Sequence, residues 1–299
     1  MTGLRILHLD AGPEMRGGQW QVLHLLEGLA KRGHTVRLLA AGGSPLFALA
    51  RKRGIAVEAL GAWLSTRSWD LVHAHDARSH TLAALATRRP LVVSRRVAFP
   101  VGGGIASRWK YRRAAHYIAI SRHVAGKLAE AGVDAARITV IYDGVPLESV
   151  PSSNERKLIV TPASQDPMKG HALAADACRL AGVALRASSD LQRVLPEAKL
   201  FLYLTYSEGL GSAVLLAMAT GVPVIASNVG GLPEIVIDNH TGLLVENQAE
   251  PVAAAIRRLC ADSELASRLA GEARSLVQRQ FSVDAMVDQT VSVYRRVLG

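Results

Sequence analysis

The sequence is poor in cysteine and lacks a long apolar run. Its only two cysteines, Cys178 and Cys260, lie far apart with no His or Cys at metal-ligand spacing. This argues against a disulfide framework and a cysteine-based zinc site. No stretch reaches the roughly 18 uncharged apolar residues that span a bilayer. The N-terminus has no basic region followed by an apolar signal core. We therefore expect a cytoplasmic protein.

Aromatic residues are also scarce, at 5% of the 299 residues, although 49% of the residues are hydrophobic. Small and aliphatic side chains dominate instead, which is typical of parallel sheets covered by helices on both faces. The length suits two domains of ordinary size, each with its own core.

Acidic residues are under-represented in the first half of the chain only. Residues 1–150 hold 21 Lys and Arg against 10 Asp and Glu, whereas residues 151–299 hold 14 against 15. The excess favours an anionic partner for the first half, such as phosphate groups, a membrane surface or nucleic acid. A genome that favours arginine codons would produce the same excess without a functional reason.

Short apolar strands alternate with helical segments along the whole chain. This rhythm predicts βαβ units and parallel sheets. A polar stretch at residues 147–156, interrupted by Pro151, has the composition of an interdomain linker. We therefore predict two α/β domains, at residues 1–150 and 151–299. The strands expected on this basis lie at residues 4–9, 35–40, 71–73, 91–93, 117–120, 139–141, 158–160, 183–185, 200–203 and 223–226.

The segment 207–212 is the most informative motif. It reads Ser-Glu-Gly-Leu-Gly-Ser, follows a predicted strand and precedes a predicted helix that begins near Ser212. Such a loop places free backbone N–H groups and a helix dipole at the sheet edge where phosphates bind. Glu208 would repel a phosphate but could accept hydrogen bonds from sugar hydroxyls. Close packing at a strand–helix corner would also explain the glycines.

Several ordered motifs resemble one family. The run from Ser207 to Pro223 looks like the C-terminal signature of family-4 glycosyltransferases of the GT-B fold. The resemblance implies two facing Rossmann-like domains, the second somewhat shortened between Gly170 and Glu208, and a last helix that crosses back to the first domain. Further matches lie at residues 16–19, 28–34, 70–75, 118–121, 141–145, 226–234, 241–245 and 281–286.

The resemblance implies an enzyme that transfers a sugar from a nucleotide diphosphate-sugar, with retention of configuration and without a metal or other cofactor. Glu208 matches the carboxylate that contacts the donor sugar, and Lys169 matches the lysine that binds the diphosphate. His75 matches a region whose histidine points at the donor sugar. Donor-binding backbone is expected at Gly17, Gly18, Gly209, Leu210, Gly211 and Ser212. Gly17 and Gly18 are expected in the loop between the first predicted strand and the helix that follows it.

Two positions depart from the family pattern. Leu216 stands where a second glutamate usually holds the ribose, and Ser164 stands where an arginine usually binds the diphosphate. A lost charge-assisted contact costs about 1.5–3 kcal/mol of binding. These departures keep two alternatives open: a non-catalytic nucleotide-sugar-binding protein and, less well matched to the signature, a sugar-nucleotide epimerase.

A group of histidines, His73, His75 and His80, follows a predicted strand and invites comparison with a metal site. No carboxylate or Cys completes the ligand set, so we expect no metal. Ordinary packing at the strand end explains His75 as well as an active-site role does.

Residues 94–113 interleave basic, aromatic and glycine residues, including Trp109 and Tyr111. This pattern suits a lipid headgroup interface or an anionic acceptor. A solvated helix face is the simpler interpretation. We expect a saccharide or lipid-linked acceptor, no nucleic acid, and a protein that could lie peripherally on the inner face of the membrane. A role in bacterial cell-surface polysaccharide or lipopolysaccharide synthesis would follow.

Overall fold

A computed structural model of the chain describes residues 3–60, 68–99, 101–102, 104–147 and 156–299. It divides into two compact units, one of Met1–Gly144 with Val283–Gly299 and the other of Val145–Ser282. The linker predicted at residues 147–156 falls almost entirely outside the described residues.

The first unit contains a parallel sheet of seven strands among its described residues, in the order β3-β2-β1-β4-β5-β6-β7. The strands are β1 Arg5–Asp10, β2 Thr35–Ala40, β3 Ala56–Ala59, β4 Leu71–Ala74, β5 Leu91–Arg95, β6 His116–Ala119 and β7 Ile138–Val140. The helices that connect them are α1 Gly17–Lys31, α2 Pro45–Lys52, α3 Ala77–Ala86, α4 Ile105–Arg113 and α5 Arg122–Glu130, with a 3₁₀ turn at Ala135–Arg137.

The second unit contains a parallel sheet of five strands among its described residues, in the order β12-β11-β10-β8-β9. The strands are β8 Leu158–Pro162, β9 Leu185–Ser188, β10 Ala198–Tyr203, β11 Val224–Ser227 and β12 Leu243–Val245. The helices are α6 His171–Ala181, α7 Leu191–Val194, α8 Ser212–Ala219, α9 Ala249–Ala261 and α10 Ser263–Gln280, with 3₁₀ turns at Pro167–Lys169, Leu195–Glu197 and Leu232–Glu234.

The last helix, α11 (Val283–Leu298), belongs to the first unit. Val287 and Tyr294 on this helix are fully buried and pack with Ile6, Leu25 and other residues of the first unit's core. At its start, the Arg32 guanidinium at the end of α1 pairs with the carboxylates of Asp284 and Asp288 at 2.9 and 2.7 Å.

The arrangement of the strands in the two sheets determines where polar, functional side chains can lie. Helices cover the central strands, so these are buried continuous apolar runs such as β10, of which only Lys199 is exposed. The loops at the carboxyl ends of the strands carry the polar residues, as is usual for ligand sites of open α/β sheets. In the part of the chain that the structure describes, no helix is both long enough and apolar enough to cross a bilayer.

Candidate active site

The loop between β10 and α8 is shaped by close backbone packing. Gly211, at the N-terminus of α8, has a φ of +102°, in the region that favours glycine. Gly231 donates its backbone N–H to the carbonyl of Glu208 at 3.2 Å. A β-carbon on Gly230 would lie 2.1 Å from the Glu208 carbonyl oxygen. The Gly-Gly turn after β11 therefore holds the Glu208 backbone in one place.

The Lys169 loop reaches the same sheet edge because β8 and β10 are neighbours in the sheet. The Thr205 hydroxyl donates to the Met168 carbonyl at 3.0 Å and so connects the loop after β8 with the loop after β10. Lys169 and Glu208, which are 39 residues apart in sequence, form an ion pair of 2.9 Å between Nζ and Oε2.

Glu208 is held by three donors. Oε2 accepts from Lys169 Nζ at 2.9 Å and from the Tyr203 hydroxyl at 2.5 Å, and Oε1 accepts from the Gly209 backbone N–H at 2.9 Å. The Glu208 side chain is 15% exposed and that of Lys169 36%. Burial, followed by the negative charge of Glu208, raises the pKa of Tyr203 well above its usual value, so the phenol remains a donor.

The residues that the motif singles out in the second unit therefore come together: Lys169 and Glu208 touch, and Gly209, Leu210, Gly211 and Ser212 lead from Glu208 into α8. The first-turn amides of α8 have no side-chain cap, which leaves them suited to an anion. Sequence reasoning missed Tyr203. The sequence feature that could have identified it is the hydroxyl of a tyrosine that ends the largely apolar strand β10.

Ser164 and Leu216, the two departures from the family pattern, lie in unstrained local structure. The Ser164 hydroxyl accepts from the backbone N–H of Asp166 at 3.1 Å and so forms a local turn. Leu216 on α8 is only partly buried, unlike its neighbours Leu215 and Ala217, which are fully buried. A polar side chain at position 216 can therefore reach solvent without opening the core.

Leu216→Glu should consequently fold with little loss of stability. The new carboxylate is expected to tighten nucleotide binding about tenfold or more if it reaches ribose hydroxyls, since a hydrogen bond to a charged group contributes about 1.5–3 kcal/mol. Calorimetric titration with nucleotide diphosphates measures this effect, and thermal unfolding serves as the control. Loss of the folded state would show that position 216 belongs to the core.

Gly17 and Gly18 lie in the first unit, where the structure corrects one local expectation. The sequence placed both in a loop before a helix, but α1 begins at Gly17. Gln19 stabilises this earlier start: its Oε1 accepts from the backbone N–H of Arg16 at 3.2 Å, and its Nε2 donates to Asp10 at 3.2 Å. A β-carbon on Gly18 would lie 3.3 Å from the Arg96 side chain.

His75 also lies in the first unit, fully enclosed at the end of β4. Its Nε2 shares a hydrogen bond of 2.9 Å with Nδ1 of His8. His73 contacts the hydroxyls of Tyr294 at 2.6 Å and Ser94 at 2.9 Å. Burial lowers the pKa of His73 and of His75 well below the usual range, and that of His8 to about 3, so all three are neutral.

The histidine grouping expected from the sequence was wrong in one member. His8, not His80, joins His73 and His75, because β1 pairs with β4 and places His8 opposite His73. His80 instead contacts the ring of Tyr111 edge-on at 5.1 Å. Nitrogen atoms of the three clustered histidines lie within 4.8 Å of one another. Both nitrogens of His73 are engaged by hydroxyls, whereas His8 and His75 pair with each other, so the three neutral imidazoles take part in two separate sets of hydrogen bonds.

Comparison with protein families identifies the relatives of this chain. A family model described as Glycosyltransferase Family 4 matches residues 15–149, and one described as Glycosyl transferases group 1 matches residues 183–276. Together the two ranges span most of the chain. This protein belongs to glycosyltransferase family 4. Both matches include loops described above, with Gly17, Gly18 and His75 in the first range and Glu208 in the second.

Curated relatives of this family-4 chain match over a shorter stretch. The alpha-maltose-1-phosphate synthase of Mycobacterium tuberculosis is 36% identical over 115 residues, which cover 36% of this chain and 30% of that protein. A GDP-mannose-dependent alpha-(1-6)-phosphatidylinositol monomannoside mannosyltransferase of the same organism is 39% identical over 89 residues, or 29% of this chain and 23% of that protein. The chain thus matches less than a third of the length of these relatives.

The fold is that of GT-B glycosyltransferases. The crystal structure of Anabaena HepE in complex with UDP superposes with a TM-score of 0.86, covering 98% of this chain and all of HepE at 18% identity. The expectation of two Rossmann-like domains with parallel sheets is confirmed.

Proposed function

We propose that this family-4 chain transfers a sugar from a nucleotide diphosphate-sugar to a saccharide or lipid-linked acceptor, with retention of configuration. The contact between Lys169 and Glu208 carries this proposal. It places Lys169, a cation that can bind the diphosphate, next to Glu208, a carboxylate that can bind the sugar. Both lie beside the N-terminus of α8. A nucleotide sugar presents both complementary groups within one molecule.

Each group would have a distinct task in the reaction. Lys169 and the first-turn amides of α8 would neutralise the charge that develops on the departing diphosphate. Glu208 would orient the sugar through its hydroxyls. The acceptor would attack on the face that the diphosphate leaves, and a phosphate oxygen would take the acceptor's proton. Such a reaction depends on positioning and electrostatics more than on a side-chain base.

The same groups support a reaction that needs no metal ion or other cofactor. Lys169 is a point charge close to the place where the diphosphate would lie, and the helix N-terminus adds donors. In the first unit, the backbone at Gly17 and Gly18 would contribute to substrate binding, and His75, which is enclosed, would act from its neutral form through its hydrogen bond to His8. Unchanged turnover after treatment with a chelator is the expected result for a metal-independent enzyme.

The relatives suggest which donors and acceptors to test. HepE was crystallised with UDP, and one mannosyltransferase relative depends on GDP-mannose and acts on a phosphatidylinositol mannoside. A thermal-shift screen with UDP-, GDP- and ADP-sugars, followed by turnover assays, therefore tests the proposal. Transfer or slow hydrolysis supports it. Binding without turnover would favour the non-catalytic alternative raised by Ser164 and Leu216, and an altered sugar without an acceptor would indicate an epimerase.

An acceptor held at a membrane would fit a surface of the first unit. Five large apolar side chains on or near α3 and α4 are exposed: Leu82, Leu85, Phe99, Ile105 and Trp109. Together with the exposed Arg108 and Arg112, they form what we call the basic-apolar patch. Ile105 is 82% exposed and Leu85 69%. Gly103, within the glycine-rich stretch singled out in the sequence, lies outside the described residues.

The α4 helix that carries this patch is fixed to the unit from one side. Tyr111 stacks on Tyr117 with a centroid separation of 5.6 Å. Arg113 donates to the carbonyls of Ala84 and Thr87 at 3.3 and 2.6 Å. Because Arg113 is engaged in this way, Arg108 and Arg112 are the better cations for an anionic lipid surface. We propose that the basic-apolar patch binds anionic membranes peripherally, in a role in cell-surface polysaccharide or lipopolysaccharide synthesis.

Arg108→Glu with Arg112→Glu should weaken binding to anionic vesicles at least 30-fold. Each basic residue near such a surface contributes about 1 kcal/mol, so the loss of two is about 2 kcal/mol before repulsion is added. Vesicle sedimentation at low and high salt measures the change. Arg51→Glu with Lys52→Glu, at exposed positions of α2, alters the net charge equally and is the matched control. Equal weakening by both pairs would contradict the assignment to the patch.

A further inference from the structure

Tyr203 occupies a position that connects the core of the second unit with the candidate active site. It ends β10, its ring is buried, and its hydroxyl is 2.5 Å from Glu208 Oε2. Glu208 lies five residues further along, beyond the turn of the loop. A carboxylate oxygen only accepts hydrogen bonds, so the phenol is the donor. This contact fixes the side chain of Glu208 relative to the sheet rather than to the loop.

Lys169 shares the same carboxylate oxygen. Its Nζ is 2.9 Å from Glu208 Oε2 and 6.0 Å from the centroid of the Tyr203 ring. Lysine and tyrosine thus hold one oxygen together, but their surroundings differ. The Lys169 side chain is 36% exposed on a 3₁₀ turn, whereas Tyr203 is anchored in the strand.

A diphosphate would compete with Glu208 for Lys169. Once Lys169 turned toward the phosphates, its place on Oε2 would be open to a sugar hydroxyl. The Tyr203 hydroxyl and the Gly209 N–H would remain as the donors that keep the carboxylate in position. A negatively charged side chain left with no fixed donor would be free to change rotamer, and a flexible carboxylate orients a sugar poorly.

We propose that Tyr203 is a positioning residue that keeps the Glu208 carboxylate in place while Lys169 exchanges it for the donor's diphosphate. This inference rests on the proposed transfer function. It adds to that function the group that keeps Glu208 in position to bind the sugar after Lys169 has moved to the diphosphate. Lys169 is the exchangeable partner of Oε2, and Tyr203 is the permanent one.

Tyr203→Phe is the direct test, because it removes the hydroxyl and leaves the buried ring. Transfer should slow about 10- to 100-fold, as expected for one lost hydrogen bond to a charged group. The loss should appear in kcat more than in KM. The affinity for the nucleotide diphosphate should change less than threefold, because that ligand meets Lys169 and lacks the sugar.

Tyr206→Phe is the matched control. Tyr206 lies three residues further along the chain and is half exposed, and its hydroxyl has no hydrogen bond within the described residues. Tyr206→Phe should leave kcat and KM unchanged. A Tyr203→Phe enzyme that is stable and has the wild-type kcat would overturn the proposal. Lowered stability with an unchanged kcat of the folded enzyme would also overturn it, because that result indicates a packing role.

A second measurement separates this proposal from the proposed function. The ¹³C carboxyl signal of Glu208, assigned by its loss in Glu208→Gln, can be recorded in the protein without ligand. Because Tyr203→Phe removes the hydroxyl that donates to Oε2, it should shift that signal whether or not the protein is active. An inactive wild type with this shift would overturn the transfer function and support Tyr203 as the group that holds Glu208. An unmoved signal would overturn the Tyr203 proposal even in an active enzyme.

Discussion

Replacing Glu208 by glutamine is expected to slow sugar transfer about 10²- to 10³-fold in a normally folded protein. Glutamine preserves size, but it removes the charge that would stabilise positive character at the reacting carbon of the sugar. The loss of one preorganised electrostatic group costs about 2.7–4 kcal/mol of transition-state stabilisation. Steady-state turnover with the donor identified in the screen measures the effect.

The ion pair with Lys169 leads to a second expectation for Glu208→Gln: although transfer slows, the affinity for nucleotide diphosphate should not fall. In the unliganded protein, Lys169 Nζ is 2.9 Å from the Glu208 carboxylate. A diphosphate that binds must therefore compete with Glu208 for Lys169. Without that charge, Lys169 is released, so nucleotide diphosphate should bind Glu208→Gln as tightly as the wild type or more tightly. Lys169→Ala should instead weaken the diphosphate complex roughly 10- to 100-fold, in line with a lost charge-assisted contact.

Turnover and calorimetry together therefore distinguish the two residues. Rate loss with retained or improved diphosphate affinity is expected for Glu208→Gln, and loss of both for Lys169→Ala. Wild-type turnover in folded Glu208→Gln would remove Glu208 from the site. Equal weakening of diphosphate binding by the two changes would show that Glu208 supports Lys169 rather than competing with the ligand.

The central strands could be predicted from the sequence because parallel strands with helices on both faces are continuous apolar runs. The strand at residues 35–40 was predicted with the bounds that the structure shows. Edge strands were harder. Ala56–Ala59, at one edge of the first sheet, is only partly buried and was missed, and Leu185–Ser188, at an edge of the second, was placed two or three residues too early. A single buried face leaves a weaker apolar pattern.

The contacts within the site could not be predicted in the same way. Glu208 was recognised by its place in a loop after a strand and Lys169 by the family resemblance, but their ion pair depends on β8 lying next to β10. His8 joined His73 for a similar reason, since β1 and β4 are neighbours in the sheet although two strands separate them in sequence. Which strands are neighbours is a property of the topology, and local composition does not encode it.

Gly230→Ala should abolish most of the activity and strongly destabilise the second unit. Gly230 has a φ of +58°, and its missing β-carbon would lie 2.1 Å from the carbonyl oxygen of Glu208. Real β-carbons do not approach so closely, and the obstacle is backbone, which cannot rotate away. The Glu208 loop would have to move. An ångström of displacement at a reacting group can reduce a rate about 10²-fold, so the loss should be comparable to that of Glu208→Gln.

Gly221→Ala provides the matched control, because it isolates the close approach from the backbone conformation. Gly221 has a similar φ of +66°, but no atom lies within 4 Å of the position its β-carbon would take. This variant should lose only the cost of a left-handed non-glycine residue, about 1–2 kcal/mol, and retain its turnover. Chemical denaturation and transfer assays on both variants give the comparison. If Gly230→Ala proved as stable and as active as Gly221→Ala, the turn at Gly230 would not be what positions Glu208.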